Sequence, residues 1–213
     1  MVNLVPRGSF CFCKGGTGAV QFKNFSNQMV VKKYGKMKIK AREFALKHHS
    51  EQKYGEHPYV VHLDAVANLV QQYGETAVVI AYLHDVVEDT NINIREIEKE
   101  FGALVADCVA VLTDEPGKDR KERKEKTYSK MALVCGETEI ALLVKAADRL
   151  ANMRACVAEN KERLLALYKE EYPVFKKTVF RPGICDEIWA KLAELNTVKP
   201  LHASGVGIPG GVE

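Results

Sequence analysis

The stretch that decides the fold is Thr76-Ala-Val-Val-Ile-Ala-Tyr-Leu-His84-Asp85-Val-Val-Glu88-Asp89. Its first half is almost wholly apolar, as in a helix that is buried on all sides. The same pattern recurs in residues 140–153, where Ala-Leu-Leu-Val precedes Lys145 and Asp148. Two central helices of this kind, in a sequence with no strand-like alternation, predict an all-α helical bundle.

Helical periodicity continues outward on both sides of this core. It begins near Met37, and a second helix is predicted to start at Pro58, because proline suits the first turn of a helix. Asn93 with Glu96 three residues later forms a capping box that starts a further helix. A charged loop is predicted over 114–126, and two or three amphipathic helices complete the bundle.

The two ends of the chain differ from the middle in composition. Leu4-Val5-Pro6-Arg7-Gly8-Ser9 matches a thrombin cleavage site, and irregular sequence follows it. Residues 1–35 are therefore predicted to be an expression-tag remnant and a flexible arm. The glycine-rich residues 197–213 are predicted to be a disordered tail. Residues 36–196 are then the single folded domain, a size at which one hydrophobic core suffices.

Composition excludes several classes of protein. The net charge of +3 is too small to indicate a nucleic-acid partner. The sequence has neither a run of eighteen apolar residues nor a secretory signal, so a cytoplasmic protein without a membrane partner is expected. The six cysteines are scattered without a Cys-x-x-Cys pair, which favours reduced thiols. A homo-oligomer is left open.

Four polar side chains interrupt the apolar helical faces: His62, His84, Asp85 and Asp148. A buried carboxylate is costly unless it is paired or bound to a metal. Two imidazoles and two carboxylates suit manganese, iron or zinc, and they leave coordination positions open for water and substrate. Taken singly, each has a plainer explanation, such as a hydrogen-bonded core histidine or an ion pair with Lys145. Taken together, they predict a site for one divalent cation.

A second acidic pair follows the first aspartate. Glu88 lies four residues after His84, and Asp89 lies four residues after Asp85. On a helix, both carboxylates would project from the same side, one turn further on. They are predicted to orient or activate water beside the metal as a catalytic acid/base pair.

Three segments carry these residues: Pro58-Tyr-Val-Val-His62, Tyr82-Leu-His-Asp-Val-Val-Glu-Asp-Thr90 and Lys145-Ala-Ala-Asp-Arg-Leu-Ala-Asn-Met-Arg154. In order and spacing they resemble the hydrolase half of the Rel/SpoT alarmone enzymes and their small stand-alone relatives. The resemblance implies an HD-domain bundle, typically with one Mn²⁺, over the folded domain. It also implies removal of the 3′-pyrophosphate from guanosine 3′,5′-bis(diphosphate), the nucleotide of the stringent response.

The resemblance further implies substrate contacts. Asn152 matches a nucleotide-contacting asparagine, and Tyr168 matches an aromatic residue on the following helix. Lys53 is what remains of a basic pair in the segment that helps bind the base in the family. Leu63 stands where the family usually has proline after the first histidine.

Six basic residues crowd into the charged loop, interleaved with acids. They are Lys118, Arg120, Lys121, Arg123, Lys124 and Lys126. A solvated mixed-charge surface explains them as well as a phosphate clamp does. Arg120 is the first candidate for a substrate contact, because the stand-alone relatives carry a lysine at the matching place.

Three functions stay open. The first is hydrolysis of the alarmone, and the second is the same chemistry on another phosphorylated nucleotide or metabolite, such as NADPH. The third is a non-catalytic nucleotide-binding module with a structural metal. Glu88 and Asp89 argue against the third, because a structural site needs no spare acids.

Overall fold

The computed structural model describes residues 27–197, with side chains from residue 35 onward. Within that range a two-stranded hairpin and two 3₁₀ turns accompany the α-helices. The hairpin is β1 (Lys53–Tyr54) and β2 (His57–Pro58), and the helices are α1 (Asn27–His49), α2 (Val60–Val70), α3 (Glu75–Leu83), α4 (Val86–Asp89), α5 (Ile94–Phe101), α6 (Ala103–Leu112), α7 (Arg120–Ala132), α8 (Ile140–Ala158), α9 (Glu162–Val179) and α10 (Asp186–Thr197).

The predicted all-α bundle is confirmed. Helix α8 is its axis, contacting α2, α3, α6, α9 and α10, and it is buried along most of its length. Helix α3 packs beside it and buries Val78, Val79 and Ile80. The two apolar stretches lie next to each other because each is hydrophobic all round and must be covered on every side. None of the helices between residues 27 and 197 has the length and apolarity that crossing a bilayer requires.

Helix α1 begins ten residues before the predicted start at Met37, so the proposed boundary at residue 35 falls inside it. Extending a nucleated helix costs little per residue, and Gly35 opposes it by only about 1 kcal/mol. The predicted tag remnant, Cys11, Cys13 and the tail from residue 198 lie outside the described residues. Three of the remaining cysteines are buried and Cys135 is exposed, all as free thiols.

The predicted start of the second helix at Pro58 is wrong. Pro58 ends the hairpin, where Tyr54 pairs with His57 across a two-residue loop, and α2 begins at Val60. Gly55 opens that loop at φ +61°, a conformation that glycine adopts without strain. Proline is tolerated at a strand edge as well as in the first turn of a helix, so its position alone did not decide between them.

Two further predictions about helix boundaries need correction. The apolar helix does not run through to Asp89, because α3 ends at Leu83 and α4 begins at Val86. The imidazole of His84 bonds the Ala81 carbonyl at 2.7 Å and satisfies a group that the helix end leaves free. Half of the predicted charged loop is α7, capped by the carboxylate of Asp119. The capping box at Asn93 and the break at Gly102 are confirmed.

Candidate metal centre

Two helices and one interhelical turn bring the four predicted ligand residues together. His62 comes from the first turns of α2, His84 and Asp85 from the turn between α3 and α4, and Asp148 from the middle of α8. His62 Nε2 lies 3.4 Å from Asp148 Oδ1 and 3.8 Å from Asp85 Oδ2. His84 Nε2 lies 3.0 Å from Asp85 Oδ2 and 3.7 Å from Asp148 Oδ1. Both imidazoles therefore point their Nε2 atoms at the same two carboxylates.

The donor set fits a divalent cation. His62, His84 and Asp85 each offer a ligand atom, and these atoms lie within 4.8 Å of one another. His84 Nδ1 faces the Ala81 carbonyl, so Nε2 is the nitrogen left for a metal. That Nε2 is buried and makes no hydrogen bond of suitable angle, although a carboxylate lies 3.0 Å away.

Electrostatics hold the two aspartates ionised without a metal. Burial alone would raise the pKa of Asp85, but the neighbouring His84 outweighs burial and lowers it. Burial is likewise outweighed at Asp148, whose pKa is lowered by the Lys145 ammonium 3.1 Å away and by both imidazoles. Burial would lower the pKa of His84, yet Asp85 and Asp148 raise it to about 10. In the metal-free protein, a proton on His84 thus balances part of the carboxylate charge.

Two tyrosines that the sequence analysis missed hold this cluster in place. The Tyr59 hydroxyl donates to Asp85 Oδ2 at 2.5 Å, and burial together with Asp85 raises the pKa of Tyr59. The Tyr54 ring stacks on His62, with centroids 4.7 Å apart at 21°. Its hydroxyl donates to Asn152 Oδ1 at 2.7 Å, and Asn152 Nδ2 donates to Asp148 Oδ1 at 2.5 Å. Tyr59 could have been found from its place three residues before His62 at a helix start.

The two carboxylates of the acidic pair, Glu88 and Asp89, do not lie side by side in the cleft. Glu88 lines the cleft together with His62, Asp85 and Asp148, and its Oε2 accepts the backbone N–H of Asp114 at 3.2 Å. Burial and the nearby Asp114 raise the pKa of Glu88. Asp89 is not among the residues that line the cleft, and its Oδ2 accepts from Gln52 Nε2 at 2.9 Å. The prediction that both carboxylates project from one side assumed a continuous helix. The break between α3 and α4 removes that condition.

One wall of the cleft, which has a volume of ≈ 130 Å³, is cationic. Arg120 and Lys124 reach it from α7, and Lys145 and Arg149 reach it from α8. Arg120 Nε is held by Glu171 at 2.8 Å, and Lys124 Nζ is held by Asp114 at 2.8 and 2.9 Å. The remaining basic residues of the predicted loop do not line the cleft.

Three of the four predicted substrate contacts lie at the cleft. Arg120, Asn152 and Tyr168 line it, and Tyr168 stacks under Arg149, whose guanidinium carbon is 4.5 Å from the ring centroid. Lys53 is exposed and does not line the cleft. Successive side chains of a strand point to opposite faces, so Tyr54 takes the inward position and Lys53 the outward one.

A larger groove of ≈ 450 Å³ opens beside the cleft, and His62 lines both. Its walls are mainly apolar and come from the hairpin, α2 and α8. The lining residues include Tyr54, Val61, Ala65, Leu69, Ala151 and Ala155. The groove adjoins the cleft at His62, one of the four predicted ligand residues.

The chain is similar to a known domain family and to named enzymes of that family. The HD domain family matches residues 41–185. A Synechocystis protein named "Probable guanosine-3′,5′-bis(diphosphate) 3′-pyrophosphohydrolase" is 35% identical over 153 residues, which are 68% of this chain and 20% of that protein. Guanosine-3′,5′-bis(diphosphate) 3′-pyrophosphohydrolase from Aquifex aeolicus is 32% identical over 149 residues, 68% of this chain and 21% of its own. The chain spans about a fifth of the length of these curated relatives.

A solved structure resembles the chain over nearly all of its own length. It was described as "A metazoan ortholog of SpoT hydrolyzes ppGpp and plays a role in starvation responses". The TM-score is 0.63 at 26% sequence identity, and the match covers 75% of this chain and 93% of that one.

Proposed function

We propose, because this chain belongs to the HD-domain family, that it is a metal-dependent hydrolase of the Rel/SpoT alarmone type. Its proposed reaction is removal of the 3′-pyrophosphate from guanosine 3′,5′-bis(diphosphate). The names of the curated relatives and the description of the metazoan structure support this substrate. The observation that carries the proposal is the convergence of two imidazoles and two carboxylates beside Glu88 and a cationic wall.

The ligands of the metal would be His62, His84, Asp85 and Asp148, and we propose Mn²⁺ as the ion. When bound, a divalent ion at such a site polarises phosphoryl oxygens and lowers the pKa of water. The first contribution of the protein to the proposed reaction is to hold the proposed ligands in a fixed position. Tyr59 and Asn152 do so, each by a 2.5 Å hydrogen bond to one of the two aspartates. Mixed imidazole and carboxylate ligands of this kind suit Mn²⁺.

Glu88 is the proposed general base. Its Oε2 is engaged by the Asp114 N–H, so Oε1 is the oxygen that takes a proton from the attacking water. As the water oxygen bonds to phosphorus, the bond from phosphorus to the ribose 3′-oxygen breaks, so pyrophosphate is released and the 3′-oxygen keeps the electron pair and takes up a proton from solvent. The pKa of Glu88 is raised by burial and by Asp114, which makes this carboxylate a stronger base near neutral pH.

The cationic wall binds the phosphates. Arg120, Lys124 and Arg149 supply guanidinium and ammonium donors on one side of the cleft, which suits oxygens of a pyrophosphate group. Fixed donors of this kind also stabilise charge that develops as the bond breaks. Because Arg120 and Lys124 are held by Glu171 and Asp114, they are oriented before any substrate arrives.

The groove beside the cleft is the proposed place of the nucleoside. Tyr54 stands beside Lys53, where the family's basic pair is expected, and it presents an aromatic ring and a hydroxyl bonded to Asn152. An apolar groove with an aromatic residue at its mouth accepts a purine but discriminates weakly among purines. A second phosphorylated nucleotide, such as NADPH, is therefore the alternative substrate.

The test is a substrate panel with the Mn²⁺-loaded protein. Guanosine 3′,5′-bis(diphosphate), GTP and NADPH are incubated separately, and pyrophosphate and orthophosphate release are measured. Pyrophosphate release from the first alone supports the proposal, and orthophosphate from NADPH supports the alternative. Release of neither product from any of the three contradicts the proposed reaction and favours the non-catalytic nucleotide-binding module.

Two broader proposals accompany this function. The proposed catalytic unit is the domain of residues 36–196, whose first helix, α1, extends back to Asn27. We place the protein in the cytoplasm, where reduced thiols are normal. The free thiols of Cys108, Cys135, Cys156 and Cys185 support that placement.

A further inference from the structure

Gln52 lies between a buried histidine and the outer member of the acidic pair. Its side-chain oxygen is 2.8 Å from His49 Nδ1, and its side-chain nitrogen donates to Asp89 Oδ2 at 2.9 Å. Gln52 follows α1, whereas Asp89 ends α4, 37 residues further along the chain. This contact ties the segment that leads into the hairpin to the helix that carries both acids.

The chemistry of the partners fixes the orientation of the Gln52 amide. An ionised carboxylate only accepts hydrogen bonds, so the nitrogen of the amide must face Asp89. The amide oxygen then faces His49, whose Nδ1 must carry the proton and donate it. His49 is 5% exposed and its Nε2 has no hydrogen-bond partner. Among the described residues, the His49 ring therefore makes its polar contact with Gln52, and this contact orients the Gln52 amide.

The backbone and an aromatic stack hold the same unit rigid. The Gln52 N–H donates to the His49 carbonyl at 2.8 Å, and the Gln52 carbonyl accepts from the Tyr59 N–H at 3.0 Å. The His49 and Tyr59 rings stack with centroids 4.5 Å apart at 24°. Tyr59 in turn donates to the proposed metal ligand Asp85. Gln52 is thus fixed at four atoms and belongs to a unit that also reaches the metal centre.

We propose that Gln52, aligned by His49, is a positioning residue that holds the Asp89 carboxylate in one orientation at the end of α4, next to Glu88. With Oδ2 bound to the amide, Oδ1 is the oxygen left to accept a hydrogen bond from water and so to orient that water for the reaction. This inference rests on the proposed function, because it assigns Asp89 a part in that reaction. Gln52 lines neither the cleft nor the groove, so its proposed effect acts through Asp89.

The kinetic test compares Gln52→Met with Gln72→Met. Both remove an amide that donates to a carboxylate, and Gln72 bonds Glu187 at 3.2 Å in a different part of the bundle. We expect Gln52→Met to lower kcat by about 10- to 100-fold with KM nearly unchanged, because small misplacements of a reacting group cost that much. Gln72→Met should behave like the wild type. In an Asp89→Asn background, Gln52→Met should cost nothing more, because the group it positions is already lost.

A second measurement does not depend on turnover. Gln52→Glu places a second carboxylate against Asp89 and should lower the thermal midpoint of the metal-free protein. The double variant Gln52→Glu/Asp89→Asn exchanges donor and acceptor, because the introduced amide at position 89 can donate to the introduced carboxylate at position 52. Its thermal midpoint should therefore recover most of the decrease. Mn²⁺ content should stay at the wild-type level in Gln52→Met, since no ligand is touched.

The outcomes separate the two proposals. An active wild type with unchanged kcat in Gln52→Met overturns the positioning role and leaves the proposed function intact. The positioning role is also overturned if Gln52→Met lowers kcat equally with and without the Asp89 carboxylate. If the wild type hydrolyses nothing, the proposed function falls. The thermal midpoints then decide whether Gln52 holds Asp89, and no recovery in the double variant refutes that contact.

Discussion

The strongest prediction from the metal centre is that the cation must displace a proton from His84. In the metal-free protein, burial is outweighed by Asp85 and Asp148, and the pKa of His84 is raised to about 10. At pH 7.5 the imidazole is therefore protonated on both nitrogens, and Nδ1 donates to the Ala81 carbonyl. A metal needs the unprotonated Nε2, so binding and protonation exclude each other at that atom.

The size of the effect follows from that pKa. Well below pH 10, each unit by which the pH rises increases the fraction of unprotonated His84 about tenfold, so the apparent Kd for the cation should fall about tenfold per pH unit. Between pH 6.5 and 8.5 the affinity should then rise about 100-fold. Close to one proton should be released for each ion bound at pH 7.5.

Isothermal titration calorimetry with Mn²⁺ in two buffers of different ionisation enthalpy measures the proton count directly. His84→Ala is the control, because the weak binding that remains should release no proton. The stability of the metal-free protein gives an independent check. A raised pKa in the folded state contributes stability that is complete below pH 6.5 and is lost as pH rises towards 10. An affinity that is flat with pH, or no proton release, would refute this account of His84.

Three further predictions concern single residues. Asp148→Ala should abolish stoichiometric Mn²⁺ binding by elemental analysis, whereas Asp107→Ala, an exposed change on α6, should not; equal metal in both variants contradicts the ligand assignment. Glu88→Gln should keep the metal and lower kcat roughly 10²- to 10⁴-fold, and near-normal turnover would exclude Glu88 as the base. Arg120→Gln should raise KM with kcat nearly intact, because remote phosphate contacts act equally on ground and transition states. Arg123→Gln makes the same charge change outside the cleft and should leave kcat and KM unchanged at low and high salt. If the KM of Arg120→Gln equals that of Arg123→Gln, Arg120 does not bind the phosphates.

Hydrophobic periodicity was sufficient to locate the core and the residues that interrupt it. Helices that are apolar on every face are central in any bundle, so the polar groups at their ends meet near its axis. That is why the sequence identified His84, Asp85 and Asp148 together, and why the structure brings them within 4 Å of His62 or of each other. Their role as ligands stays a prediction, although the geometry suits it.

The errors came from local features that admit two structures. The run 114–126 was predicted as a loop because of its charge, yet Asp119 followed by Glu122 is a cap that starts α7. Had that helix been recognised, the spacing of four between Arg120 and Lys124 would have put both on one face. The hairpin was a second such feature. Successive side chains of a strand point to opposite faces, so Tyr54 rather than Lys53 lies at the site.

Contacts between distant segments were beyond any pattern in the chain. Gln52 and Asp89 are 37 residues apart, and Tyr54 and Asn152 are 98 apart. Whether such pairs form a hydrogen bond depends on placement to a few tenths of an ångström, which spacing along a helix does not encode. Family resemblance transfers the four predicted ligands, because a bound metal would restrict their residue types. It does not transfer Tyr54, whose ring stacks on His62 and lines the groove. Substrate preference in this chain should therefore depend more on Tyr54 than on any of the four residues that the resemblance identifies most firmly.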